Sequence, residues 1–103
     1  MNYRVVFSPE AIQDLNDLHA YILPDAGPPR ARDYVGKIYD YCLSFETFPQ
    51  RGTRRDDIFS GLRIVGYHRR ATIAFRIAAD QVTILRVFHH GRDITFSGEA
   101  DDH

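Results

Sequence analysis

"GLRIVGYHRRATIAFRIAADQVTILRVF", residues 61–88, decides the fold. It holds three short runs rich in β-branched and aromatic residues: Gly61–Tyr67, Ala71–Ile77 and Val82–Phe88. "HRR" separates the first two and "AADQ" the second two. Links that short join strands as consecutive antiparallel hairpins. Along the middle run Ala71, Ile73, Phe75 and Ile77 share one face, and Thr72, Ala74 and Arg76 share the other. The stretch therefore reads as a three-stranded antiparallel meander.

Upstream the period changes from two to about 3.6. "YRVVF", Tyr3–Phe7, is one more strand. Ser8 then suits an N-cap, Pro9 the first helical position and Glu10 the first turn. Ala11, Ile12, Leu15, Leu18 and Ile22 recur at helical spacing, and Pro24 is expected to stop this helix near Ile22 or Leu23. "PDAGPP" reads as a stiff link to a second helix starting near Pro29. The second helix carries a stripe of Ala31, Tyr34, Val35, Ile38, Tyr41, Cys42 and Phe45, and "FPQRG" ends it. The expected architecture is α+β: an N-terminal strand, an antiparallel helix hairpin, then the meander, all strands forming one sheet with the hairpin on one face. Residues 1–96 form a single domain in this reading, and residues 97–103, "SGEADDH", an acidic, disordered tail.

Charge is unevenly distributed although the net value is −1. Residues 1–50 hold four basic and seven acidic side chains, whereas residues 51–96 hold nine basic and four acidic ones. Every basic residue in that second block is an arginine, and Lys37 is the single lysine of the chain. Arginine's planar fork suits carboxylates and phosphates. The plain alternative is a solvated face of mixed charge. The near-neutral balance argues against strong nucleic-acid affinity. No apolar run approaches the roughly 20 residues of a membrane span. The opening "NYRVVFS" is too short and polar for a secretory leader, and one cysteine cannot form an internal disulfide. A cytoplasmic location is the expectation.

"RVFHHGRD", Arg86–Asp93, concentrates the polar chemistry. Adjacent strand residues point to opposite faces, so His89 and His90 do not converge on one metal, and no HxH, HxxxH or CxxC spacing accompanies them. Neither a metal nor a cofactor is expected. Cys42, on the apolar stripe of a helix, reads as a buried, inert thiol. No nucleophile elbow, phosphate loop or dinucleotide fingerprint occurs. Metal-free RNA cleavage keeps the right residue types: His89 or His90 as acid or base, with Arg63, Arg76, Arg86 and Arg92 on the phosphate.

Four stretches in order resemble one family: "YRVVFSPEAIQDLNDLHAYI", "FPQRGTRRDD", "GLRIVGYHRRATIAFRI" and "VTILRVFHHGRD". The Gly-Leu-Arg that opens a strand and the closing Arg-Val-Phe-His-x-x-Arg-Asp are the most specific parts. From Tyr3 to about Thr95 the chain resembles the ParE toxins of the RelE/ParE superfamily, the toxin half of bacterial type II toxin–antitoxin pairs. The resemblance implies a toxin that inhibits DNA gyrase and is neutralised by a cognate antitoxin. It implies contact with operator DNA only through that antitoxin. No catalytic residue belongs to this lead reading. The alternative is a ribosome-dependent messenger endoribonuclease of the RelE type, using Arg63, Arg76 and His89. Arg63 matches the arginine of the family's Gly-Leu-Arg strand, and His89 the histidine that ends the last strand. The partner-binding residues expected on this arginine-rich half are Arg63, Arg69, Arg70, Arg86, His90 and Arg92.

Overall fold

The computed structural model describes residues Asn2–His68 and Arg70–His89. In chain order these form β1 (Arg4–Phe7), α1 (Pro9–Ala26), α2 (Pro28–Leu43), a 3₁₀ turn (Ser44–Glu46), β2 (Thr53–Arg54), β3 (Leu62–Tyr67), β4 (Ala71–Ala78) and β5 (Gln81–His89). The strands make one sheet in the order β1-β5-β4-β3-β2. The α+β class and the helix hairpin on one face are as read from the sequence. Two features of the sheet differ. β1 joins β5 in parallel, Arg4 opposite Gln81 through Phe7 opposite Ile84, so the sheet is mixed. A two-residue strand, β2, also adds to the far edge, pairing antiparallel with β3. Two residues are too few to show a period, which is why "TR" carried no signal.

The helices also depart from expectation at their junction. α1 runs through Pro24 to Ala26. A proline so near the end forfeits one hydrogen bond, to the Ala20 carbonyl, and Ala20 is exposed, so water can take that place. Gly27, at φ 86°, stops the helix and donates its N–H to the Leu23 carbonyl at 2.9 Å. Pro28 and Pro29 then open α2 at once, so the link shrinks to one residue. Phe45 lies in the 3₁₀ turn beyond α2, yet is fully buried as the stripe required.

The core forms between hairpin and sheet. Ala11, Leu15 and Leu18 of α1, and Ile38 and Cys42 of α2, pack on Ala71, Ile73, Phe75, Val82, Ile84 and Val87. A smaller cluster of Leu62, Ala74 and Phe88 covers the opposite face. The β4 residues thus divide between faces as alternation demands. β5 does not alternate throughout. Ala74 faces Arg86 while Phe75 faces Ile84, leaving Leu85 unopposed in a bulge. The extra residue reverses parity, so that Val87 points to the helices and Phe88 away from them.

α1 holds this bulge. The Ser8 N–H donates to the Ile84 carbonyl at 2.9 Å, and the Ser8 hydroxyl donates to the Leu85 carbonyl at 2.9 Å while accepting from the Ala11 N–H at 3.0 Å. One turn on, Asp14 accepts both Arg86 Nε and Arg86 Nη2, at 2.8 and 2.9 Å, and the Val87 N–H at 2.8 Å. Its side chain is only 13% exposed. Backbone groups that the bulge removes from the ladder are thereby satisfied.

Removing this carboxylate takes two hydrogen bonds from the Arg86 guanidinium and one from the Val87 N–H. Asp14→Ala should cost roughly 2–3 kcal/mol in urea unfolding, and Asp14→Asn, which keeps one acceptor, clearly less. At the other sheet edge Gly52, at φ 75°, approaches β3 so closely that a Cβ would sit 2.3 Å from the Ile64 carbonyl oxygen. Gly52→Ala combines left-handed strain with that clash and should cost roughly 2–4 kcal/mol, read as a lower urea midpoint.

Candidate functional site

An apolar groove of about 500 Å³ lies on the hairpin. Ile12 and Leu15 of α1, Val35 and Tyr39 of α2 and Phe7 of β1 line it, with Asn16, His19 and Arg32 at its rim and Gly36 in its α2 wall. The local sequence explains its form. Each helix carries more apolar residues than the sheet can cover. Ala11, Leu15 and Leu18 face the sheet, which leaves Ile12 50% exposed, and Ile38 faces it, which leaves Tyr39 43% exposed. Phe7 stacks on Tyr39, ring centroids 5.0 Å apart, and closes the groove toward the sheet edge. No carboxylate lines the groove, and Arg32 makes no ion pair among the described residues. Such an exposed apolar surface with a cationic rim is suited to bind a protein segment. The sequence signal for it was present in Val35 and Tyr39, one turn apart beside the core stripe, and in Ile12, next to Ala11 around the helix.

The arginines selected from the sequence are placed differently. Arg86 is tied to Asp14 and lies over the Phe88 ring at 4.9 Å. Its hydrogen bonds to Asp14, partly offset by burial, raise its pKa above the ordinary arginine value. Arg70 lies over the Tyr34 ring at 5.0 Å. Arg63 Nη1 donates to the Arg51 carbonyl at 3.2 Å. Other arginines of the second half are also engaged. Arg54 meets Asp56 at 3.1 Å, Arg55 holds Asp57 through two hydrogen bonds, and Arg51 covers the Phe45 ring at 4.5 Å. The Arg55 hydrogen bonds keep the exposed Asp57 carboxyl below its usual range. Arg69, His90 and Arg92 lie outside the described residues, as does the 97–103 tail.

Arg63, Arg76 and His89 do not come together. Arg63 pairs with Phe75, on the helix-side face, whereas Arg76 stands one residue on and points to the other face. His89 pairs with Ala71, four residues along β4 from Phe75, which is about 13 Å at the strand rise. His89 instead stacks on Tyr21, centroids 5.0 Å apart, in a polar hollow of about 200 Å³ shared with Asp14, Asp17 and Arg86. Among the described residues no group of three or more His, Cys, Asp or Glu side chains could hold a metal ion. No described helix is long and apolar enough to cross a membrane.

Cys42 is fully buried, and desolvation pushes its thiol up to about 12. At pH 8 a thiol reagent should therefore label Cys42 only as the protein unfolds, and labelling at the rate of a free thiol in native buffer would contradict this packing.

Comparison with known proteins agrees with this architecture. No curated protein matches the chain in sequence. Among solved structures, the chromosomal ParDE toxin–antitoxin system from P. aeruginosa superposes with a TM-score of 0.74 at 20% identity, covering 85% of this chain and 96% of that one. The RelBE2 toxin–antitoxin complex from Mycobacterium tuberculosis gives 0.64 at 23% identity, covering 87% and 100%. A conserved hypothetical protein from Helicobacter pylori gives 0.51 at 10% identity, covering 85% and 94%. At these identities the likeness is one of fold. The family described as "ParE toxin of type II toxin-antitoxin system, parDE" matches residues 5–94, which is most of the chain, and on that match the chain belongs to the ParE toxin family.

Proposed function

We propose that this toxin acts by binding protein partners: DNA gyrase as its target, and a cognate antitoxin that neutralises it by occupying the groove of the helix hairpin. The observation that carries this reading is the groove itself, apolar and edged by Arg32 and His19. An amphipathic antitoxin helix with acidic residues on its flank matches that surface. The dispersal of Arg63, Arg76 and His89 over both faces of the sheet also favours a binding role over RNA cleavage, which needs acid, base and phosphate ligands within hydrogen-bond reach of one scissile bond. Operator DNA is reached only through the antitoxin, and the working compartment is the cytoplasm.

Pulse labelling after induction of the chain alone in bacteria tests the target. DNA synthesis should fail while translation continues, and co-induction of a cognate antitoxin should restore growth. Arrest of protein synthesis first would replace gyrase with the ribosome and messenger RNA.

A further inference from the structure

The groove contains a residue that the fold of this chain does not require. Gly36 lies in the middle of α2, and glycine is the poorest helix former after proline. Gly27, Gly52 and Gly61 have positive φ, and Gly52 also touches β3, whereas Gly36 in its helix and Gly66 in β3 have neither reason. At Gly36 the backbone is ordinary helix, and a Cβ would meet no heavy atom within 4 Å. Neither conformation nor internal packing calls for a glycine, so helix stability is given up with no return inside the chain.

What Gly36 does is shape the surface. Together with Arg32, one turn before it, Gly36 lines the apolar groove and also a second hollow of about 390 Å³ on the other flank of α2. Pro29, Asp33, Lys37 and Asp40 complete that hollow, and Lys37 and Asp33 form an ion pair there at 3.3 Å. The missing side chain thus lowers the crest of α2 between two hollows, leaving a saddle. A helix lying across a saddle brings its backbone close to the glycine and drops side chains to either side. Interaxial distances at the short end of the usual 8–10 Å range need small residues at the crossing.

We infer that Gly36 is the crossing point of a partner helix, and that the absence of a side chain there selects which antitoxin fits. The inference rests on the groove being the antitoxin surface. The occupant is a helical antitoxin segment whose apolar side chains enter between Ile12 and Tyr39. A carboxylate of that segment meets Arg32, which is the single formal charge lining the groove and has no ion-pair partner among the described residues. Because the cost of a side chain at Gly36 falls on the complex alone, stability and binding should move in opposite directions.

The test uses the purified chain and, as probes, the protein products of the adjoining reading frames, each titrated by calorimetry. Gly36→Ala should melt at a higher temperature than the parent, since alanine fills open space in a helix, yet bind the probe that the parent binds about tenfold more weakly. Gly36→Leu should keep the fold by circular dichroism and lose about a hundredfold in affinity. Ile12→Glu, a change within the groove but away from the saddle, is the control. Parent-like affinity for Gly36→Leu combined with lost affinity for Ile12→Glu would overturn the crossing point while leaving the groove as the docking surface. Parent-like affinity for both would overturn the inference together with the groove assignment. A dimer of the chain alone in sedimentation, abolished by Gly36→Leu, would assign the saddle to a second copy and overturn it as well.

Discussion

The carboxylate of Asp14 is the point on which the arrangement of this molecule depends. It joins helix to sheet at the one place where the sheet breaks its own rule. β5 begins as an ordinary strand, with Val82 and Ile84 in the core. An unbroken alternation would next turn Arg86 and Phe88 toward the helices. The bulge at Leu85 prevents this by placing Val87 in the core and Phe88 with Leu62 and Ala74 on the far side. A bulge releases backbone groups from the ladder, and in a half-buried strand those groups need other partners. Ser8 and Asp14 supply them, while Arg86 supplies the countercharge for Asp14. The start of α1 is thus fixed to the middle of β5 by hydrogen bonds, which have direction, in addition to apolar packing, which has little.

This attachment determines what the helices expose. With Ala11, Leu15 and Leu18 held against the sheet, Ile12 turns outward, and the antiparallel partner α2 presents Val35, Gly36 and Tyr39 beside it. β1 enters at the same corner and contributes Phe7. The groove is therefore set by the same contacts that build the fold, and its shape is largely pre-formed. Pre-organisation lowers the ordering cost that falls on a protein interface and leaves most of that cost to the incoming segment.

Much of this was legible from residue patterns. The period-two runs marked β3, β4 and β5, and the face assignments along β4 hold residue by residue. The capping sequence Ser8-Pro9-Glu10 marked the start of α1. The misreadings have separate causes. Pro24 does not stop α1, because a proline in the last turn gives up one exposed hydrogen bond only. β2 is too short to have a pattern. The bulge leaves no trace in a run such as "VTILRVF", whose residues are apolar on both faces because both faces of the strand are covered. The pairing of Arg86 with Asp14, 72 residues away in sequence, is a tertiary event that no local pattern shows. Arg63 and Arg76 share a residue type and a hairpin, yet strand parity sends them to opposite faces. The residues that line the groove were hard to separate from the core, because Ile12, Leu15 and Val35 belong to the same helical stripes, and a stripe this wide supplies two surfaces.

The central claim is that the apolar groove between α1 and α2, and not the far face of the sheet that bears Arg76, receives the antitoxin. Methyl-resolved NMR of the isotope-labelled chain, with and without one equivalent of its cognate antitoxin, tests this most directly. The account predicts that the methyl signals of Ile12, Leu15 and Val35 shift strongly, while those of Leu62 and Ile64 on the opposite face of the sheet stay in place. Shifts at Leu62 and Ile64 with an undisturbed Ile12 and Val35 would contradict it.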